Sequence, residues 1–352
     1  MSKFKEFLKR KNIEISWKRY GIDALGAMAQ GLFCSLLIGT IIGTIGKLTG
    51  FGLFIDIGSY TMEVSGVAMA VAIGYALKSD PMVLFSLATV GYAANKLGGA
   101  GGPLAVLIIA IIAAEFGKAV SKETKIDILV TPAVTILVGV GLSALIAQPI
   151  GAVANAFGGL IKSATELQPF LMGIVVSVLV GIALTLPISS AAICAALSLT
   201  GLAGGAAVAG CCAQMVGFAV ISFRENRWGG LVSQGLGTSM LQMPNIMKNP
   251  RIWIAPIITS AITGPIATCL FKLEMNGAAV NSGMGTCGMC GPIGVITGWY
   301  TPGEGIAPYA PTAFDWIGLA LICIVLPAVI APLINMIFRK IGWVKDGDLA
   351  LS

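Results

Sequence analysis

Long apolar segments, separated by glycine, proline and short polar loops, follow one another along almost the whole chain. A helix that crosses a bilayer needs about 20 apolar residues, and most of these segments approach that length. The pattern therefore predicts an all-α polytopic membrane protein. The apolar segments lie at 22–45, 60–77, 82–95, 103–117, 126–148, 169–187, 189–201, 204–222, 251–271, 277–300 and 313–338.

Three of the segments, 82–95, 103–117 and 189–201, are short for a full crossing. Short apolar segments interrupted by glycine or proline are typical of discontinuous helices beside transporter binding sites. Glycine clusters at 98–102 and 201–205 lie at the ends of such segments. Each cluster is either a turn between two helices or a break in a helix near a site.

The glycine-rich stretch, residues 276–303, combines an apolar composition with helix-weakening residues. Its glycines stand at 277, 283, 285, 288, 291, 294, 298 and 303, and its polar side chains are small and uncharged. A plain membrane helix satisfies every backbone group internally and does not need these residues. Irregular backbone at membrane depth is tolerated where it is buried in protein or lines a water-filled cavity. The stretch is therefore predicted to form the wall of a site for a polar solute.

Basic residues predict the topology. Residues 1–19 are rich in lysine and arginine, which favours a cytoplasmic amino terminus over binding to nucleic acid or anionic lipid. Basic loops at 118–125 and 224–251 then fall inside after four and eight spans. The basic tail at 339–352 also falls inside if the glycine-rich stretch enters the membrane and returns on the same side. We therefore expect ten transmembrane helices and one re-entrant hairpin in the cell membrane, with both termini cytoplasmic.

The predicted organisation is a single membrane domain at 21–338 between two cytoplasmic ends. A basic segment, 1–20, precedes the domain, and a tail, 339–352, follows it. The segment 223–250 is the long polar excursion of the second half. It is either an amphipathic helix on the cytoplasmic surface or a loop that folds back over the site, with Gln234, Thr238, Ser239 and Gln242 facing inward.

Composition limits the chemistry. Hydrophobic residues make up 56% of the chain and charged residues 11%, whereas soluble domains have about 25% charged residues. The chain contains no histidine, which removes histidine acid–base catalysis, histidine metal ligands and phosphohistidine. Its eight cysteines all lie in apolar segments, and Cys287 and Cys290 lack a second CxxC pair. We therefore expect no enzyme activity, no metal and no cofactor.

The candidate solute-binding residues lie mainly in the glycine-rich stretch. Its small polar side chains can donate and accept hydrogen bonds, and its glycines let a solute reach the backbone. The alternative role is close helix packing through small residues. The candidates here are Asn276, Asn281, Ser282, Gly283, Gly285 and Thr286.

Four further candidates lie outside the glycine-rich stretch. Gln214 is an amide within an apolar run, so it either joins helices or binds the solute. Gln234 belongs to the 223–250 segment, and Glu274 precedes the glycine-rich stretch. Glu115 is an ionisable residue in a predicted span, which either serves function or pairs with Lys118 one helical turn away.

Three stretches of the second half carry a family resemblance: QGLGTSMLQMPNIMKNPRIWIAP at 234–256, SAITGPIAT at 260–268 and MNGAAVNSGMGTCGMCGPIG at 275–294. They resemble the phosphotransferase-system EIIC-like membrane proteins, a family that includes the perfringolysin O regulator of clostridia. The resemblance implies an EIIC-like fold of about ten membrane helices with re-entrant hairpins, a homodimer, and an elevator-type movement of one domain.

Two departures from the sugar-transporting relatives accompany this resemblance. This chain has no histidine for a phosphoryl relay, so EIIA and EIIB functions would need separate proteins. Asn281 and Ser282 stand where the sugar permeases tend to place a glutamate. The expected function is a permease component that translocates a small polar solute, such as a sugar or polyol. The alternative is a membrane-embedded sensor that regulates gene expression with little or no transport, and neither function requires nucleic acid as a partner.

Overall fold

The structure, a computed structural model, describes residues 3–302 and 307–351. Within these ranges the chain is helical apart from its loops and one antiparallel backbone bridge between Gly201 and Met275. The chain forms two compact units, residues 1–153 and 154–352.

The described part of the first unit contains seven helices and most of an eighth. Two π-helical turns, Lys18–Asp23 and Phe33–Leu37, join their neighbours into one continuous helix, Lys18–Thr49. Helix α3 packs against α4, α2 against α5, α5 against α6, and α6 against α7. The helices are α1 (Lys3–Arg10), α2 (Ala24–Leu32), α3 (Ile38–Thr49), α4 (Gly52–Glu63), α5 (Ser65–Ala76), α6 (Pro81–Gly98), α7 (Gly102–Val120) and α8 (Asp127–Thr165).

The glycine cluster at 98–102 forms a turn between two packed helices. Gly99 has a φ of +53°, which ends α6 in a conformation that favours glycine. A Cβ atom on Gly102 would lie 2.4 Å from the side-chain oxygen of Asn95 on α6, so α7 starts in direct contact with the helix it follows. Of the two interpretations of this cluster, the turn between helices describes the structure.

Glu115 and Lys118 form the predicted ion pair within the first unit. The Lys118 ammonium lies 2.9 Å from a carboxylate oxygen of Glu115, and the lysine is only 3% exposed. Lys118 also donates to the backbone oxygens of Asn12 and Leu77, at 3.0 and 3.1 Å. Arg19 donates to the same Leu77 oxygen at 2.6 Å. The pair therefore ties the amino-terminal segment to the ends of α5 and α7.

The second unit is built around one buried helix. Helix α11 packs against α9, α14 and α17, and most of its residues are buried. The predicted segment 189–201 contains only a seven-residue helix, α10, between α9 and α11. The helices of this unit are α9 (Pro169–Thr185), α10 (Ser190–Ala196), α11 (Gly201–Ile221), α12 (Phe223–Val232), α13 (Met243–Lys248), α14 (Ile254–Pro265), α15 (Cys290–Tyr300), α16 (Ala313–Ala320) and α17 (Leu326–Lys340).

The described residues include six helical stretches that are long and apolar enough to cross a membrane, one of which contains α6 and α7 with the turn between them, and a seventh if α4 and α5, bent by 49°, form one span. This agrees with the predicted polytopic membrane protein, while the count of ten helices stays a prediction. Helix α8 runs through Pro132 and Pro149 without ending. The six are Lys18–Thr49, Pro81–Val120, Asp127–Thr165, Gly201–Ile221, Pro250–Leu270 and Ala313–Lys340.

Glycines bring the helices around α11 into backbone contact. A Cβ on Gly210 of α11 would lie 1.9 Å from the backbone oxygen of Ser177 on α9. A Cβ on Gly264 of α14 would lie 2.0 Å from the oxygen of Gly173, also on α9. No side chain fits at these distances, so small residues fix how closely the three helices approach.

We expect Gly210→Ala to destabilise the protein by about 1–3 kcal/mol, because α9 and α11 must separate to admit the methyl group. Gly159→Ala is the matched control, since a Cβ added to Gly159 on α8 would meet nothing within 4 Å. Thermal unfolding of the purified protein in detergent measures both effects. Equal melting temperatures for the two variants would contradict the close contact between α9 and α11.

Candidate functional site

The glycine-rich stretch leaves the end of α14 and returns beside its own starting point. Asn276 and Gly277 pack against the last two turns of α15: a Cβ on Gly298 would lie 2.7 Å from the backbone nitrogen of Asn276, and one on Gly277 would lie 2.4 Å from the oxygen of Gly294. Between these contacts the chain forms two short 3₁₀ turns, Ala279–Gly283 and Cys287–Met289. The stretch is thus folded back on itself.

The 3₁₀ turn Ala279–Gly283 is hydrogen-bonded to α10 and to a residue that follows it. The Ser282 hydroxyl donates to the backbone oxygen of Leu199 at 2.6 Å, and the Ser190 hydroxyl donates to the oxygen of Gly283 at 2.7 Å. Ser282 is fully buried. These bonds satisfy carbonyl groups that have no helical partner, which an apolar interior requires.

The turn that follows is shaped by Gly285. This residue has a φ of +53°, and a Cβ on it would lie 2.7 Å from Cys211 Cβ on α11. Its carbonyl accepts a hydrogen bond from the Gly291 amide at 2.8 Å. The Thr286 hydroxyl is buried and lies 3.7 Å from the sulfur of Met215. Both residues therefore hold the turn against α11.

Asn281 differs from its neighbours because its side chain is available. It is half-buried and lies beside α15, where a Cβ on Gly294 would be 2.7 Å from Asn281 Cβ. Among the described residues its amide makes no hydrogen bond, whereas Ser282 and Thr286 direct their hydroxyls at protein atoms. Of these three predicted ligands, Asn281 is the one whose polar group can serve a solute.

Gln214 lies in a buried polar cluster between α9, α11 and α14. Its side-chain oxygen accepts from the indole nitrogen of Trp253 at 2.9 Å, and its amide nitrogen donates to the Ser260 hydroxyl at 3.3 Å. The Thr185 hydroxyl lies 3.4 Å from the Gln214 oxygen and 2.8 Å from the Ser239 hydroxyl. These bonds match the interpretation of Gln214 as an amide that joins helices.

Gln234 lies in a second buried group of amides within the 223–250 segment. Its nitrogen donates to the Ser222 hydroxyl at 2.8 Å, and its oxygen accepts from Gln242 at 2.9 Å. Gln234, Ser239 and Gln242 are fully buried and Thr238 is 4% exposed, as the inward-folded loop predicts. Trp228, on α12, is instead 70% exposed, and Arg224 and Arg227 are exposed beside it, so the first part of the segment presents a mixed aromatic and basic surface.

An aromatic pocket lies where the start of the glycine-rich stretch, with Glu274 and Asn276, meets Gly298 and Trp299 near its end. The cavity has a volume of about 440 Å³, within the roughly 300–1,000 Å³ of small-molecule sites. The Asn276 amide donates to the Glu274 carboxylate at 2.9 Å, and Glu274 is exposed. The remaining walls are the side chains or backbone of Leu270, Phe271, Lys272, Leu273, Gly298, Trp299, Ala307, Tyr309, Phe314 and Asp315.

One edge of the aromatic pocket is fixed by Asp315 at the start of α16. Its carboxylate accepts from the backbone and the hydroxyl of Thr312, each at 2.7 Å, and thereby caps the helix. The Tyr309 hydroxyl donates to the same carboxylate at 2.8 Å, and this bond raises the pKa of Tyr309. Tyr309 therefore remains a neutral phenol at physiological pH.

The predicted site residues thus fall into separate places. Ser282, Gly283, Gly285 and Thr286 form the turn against α10 and α11, while Glu274 and Asn276 line the aromatic pocket. Sequence reasoning did not identify the aromatic walls, Trp299, Tyr309 and Phe314. Their clustering on both sides of 301–308 was the available signal, since aromatic side chains commonly line small-molecule pockets.

We expect Ser282→Ala to lower the stability of the protein by about 1–3 kcal/mol, because it leaves the buried Leu199 carbonyl without its donor. Asn281→Ala should leave stability nearly unchanged, because the Asn281 amide bonds to no described residue. Thermal melting of both variants in detergent tests this difference. A larger loss for Asn281→Ala would contradict the arrangement of the turn.

Comparison with known proteins identifies the family of the chain. A family model described as "Phosphotransferase system, EIIC" matches residues 22–351, which covers most of both compact units and the whole glycine-rich stretch. No curated protein and no solved structure matches the chain. Members of this family are membrane permease components rather than catalytic units. Because the match covers nearly the entire chain, this multi-pass membrane protein belongs to the phosphotransferase-system EIIC family.

Proposed function

We propose that this protein is a permease component that moves a small polar solute, a sugar or a polyol, across the cell membrane. The observation that carries the proposal is the aromatic pocket beside the glycine-rich stretch. Its aromatic walls offer flat apolar surfaces, and Glu274 and Asn276 offer hydrogen-bond acceptors and a donor for hydroxyl groups. An apolar cavity with a few placed polar groups is the usual form of a small-molecule site.

The proposed route leads from this pocket to Asn281. Asn276 packs beside Gly298 and Asn281 beside Gly294, one turn further along α15. One helical turn corresponds to about 5.4 Å. A solute that leaves the Glu274–Asn276 pair can therefore meet the unused Asn281 amide next. The proposed route follows the glycine-rich stretch, whose glycines keep α15 close to residues 276–281.

The same unit supplies every part of this route. The aromatic pocket, the glycine-rich stretch and Gln214 all belong to residues 154–352. In an elevator-type movement the solute travels with the domain that binds it, so this unit is the proposed carrier. The proposal also includes a homodimer. Separate EIIA and EIIB proteins would carry the phosphoryl group, because this chain has no histidine.

We expect Glu274→Gln to weaken binding of the transported sugar or polyol by about tenfold or more. A hydrogen bond to a charged group is worth about 1.5–3 kcal/mol, and 1.4 kcal/mol corresponds to a tenfold change in Kd. Asn276→Ala should weaken binding in the same direction. The measurement is equilibrium binding by the purified protein, across a panel of labelled sugars and polyols, followed by uptake into proteoliposomes.

Glu166→Gln is the matched control, because Glu166 is exposed and does not line the aromatic pocket. It makes the same chemical change and should leave Kd unaltered. Failure of the unmodified protein to bind any member of the panel would contradict the proposal. Binding without uptake, even with EIIA and EIIB proteins added, would instead support a solute sensor.

A further inference from the structure

The C-terminal tail lies in a cleft lined by amide side chains. Asn226 and Gln242 both donate to the backbone oxygen of Leu349, at 2.8 and 2.9 Å. Asn245 donates to the oxygen of Ala350 at 2.8 Å, and the Leu351 amide donates to the Asn226 oxygen at 2.8 Å. Three side chains of the 223–250 segment thus bind the main chain of three consecutive tail residues.

Side-chain contacts secure the tail on both sides of these bonds. Leu349 is fully buried and Val344 is 2% exposed, although the residues around them are largely exposed. Asn249 donates to the backbone oxygen of Trp343 at 3.0 Å and to the Asp348 carboxylate at 2.8 Å. Residues 346–349 form a turn, so the cleft binds a turn-forming peptide through its backbone and takes one apolar side chain, Leu349, as an anchor.

An ion-pair network forms where the tail begins, at the end of α17. Arg339, in the last turn of α17, bridges the Glu225 carboxylate of α12 and the Asp346 carboxylate of the tail. The guanidinium of Arg251 lies 5.4 Å from the ring centroid of Trp343. Charged and aromatic contacts thus hold the tail beside the amides that bind its backbone.

The cleft is connected to the glycine-rich stretch through Gln234. The Gln234 oxygen accepts from Gln242, the same side chain that binds Leu349. Gln234 belongs to the turn Ser233–Gly237, which packs against the 3₁₀ turn Cys287–Met289. The tail, the amides and the turn of the glycine-rich stretch therefore form one continuous set of contacts.

We propose that the 223–250 segment is a peptide-binding site whose resident ligand is the chain's own C-terminal tail, and that the bound tail clasps this segment against the turn at Cys287–Met289. The ligand class is a polypeptide that forms a turn and carries a leucine anchor. Release of the tail removes acceptors from two buried amides, Gln242 and Asn245, and from the half-buried Asn226, so the segment must rearrange to recover hydrogen bonds. This inference does not depend on the transported solute.

Hydrogen–deuterium exchange on the full-length protein tests the clasp. We expect Leu349→Asp to expel the tail, because it places a carboxylate in the buried anchor position. Exchange at 345–351, at 233–242 and at 284–290 should become faster by about tenfold or more, as for a local opening. Ala350→Asp is the matched control, since it adds the same charge at an exposed neighbouring side chain.

A peptide with the sequence of residues 343–352 provides a second measurement. Added to Leu349→Asp protein, it should restore slow exchange at 233–242 and 284–290, while the peptide carrying the same substitution should not. Asn226→Ala, a milder change, should also release the tail. A tail that stays protected in both variants would overturn the peptide site. A released tail with unchanged exchange at 284–290 would overturn the clasp.

Discussion

An unwound backbone inside an apolar protein must find hydrogen-bond partners among its neighbours, and the second unit is arranged around this constraint. The glycine-rich stretch has few helical bonds before Cys290, so its carbonyls and amides turn to other elements. Gly201 and Met275 exchange two backbone bonds at 3.0 Å, and Ser190 donates to Gly283. Each bond replaces one that water would supply at the surface.

This requirement explains why glycine recurs on both sides of the contact. A side chain on Gly205 of α11 would place its Cβ 1.7 Å from the Leu273 oxygen, and one on Gly283 would place it 2.5 Å from the Ser190 oxygen. Backbone atoms can approach this closely only where no Cβ intervenes. The same glycines that weaken a helix are therefore what allows the non-helical stretch to be buried.

Much of this fold was predictable from local sequence patterns, because such patterns involve residues that are close together in the chain. Apolar segments became helices, and Glu115 pairs with Lys118 three residues away. The partners of the buried amides were beyond prediction. Gln214 bonds to Trp253, 39 residues away, and Gln242 bonds to Leu349, 107 residues away. No periodicity relates such residues, since tertiary packing alone brings them together.

The candidate site illustrates the same limit. The glycine-rich stretch was predictable as irregular backbone, but which of its polar groups remain available was not. Ser282 and Asn281 are adjacent and both small and polar, yet Ser282 donates to Leu199 while Asn281 bonds to no described residue. The difference arises from the position of α10, which packs on one side of the 3₁₀ turn Ala279–Gly283.

Helix α15 relates the proposed solute pocket to the proposed clasp. Its last turns border the aromatic pocket through Gly298 and Trp299, and its first residue follows the turn Cys287–Met289, which packs against Ser233–Gly237. Its 11 residues correspond to about 16 Å at 1.5 Å per residue. A helix of three turns moves as a body, so a shift that closes the pocket around a solute must also displace the turn at its other end. The proposed clasp would oppose that displacement, and the tail would then affect how readily the proposed pocket closes.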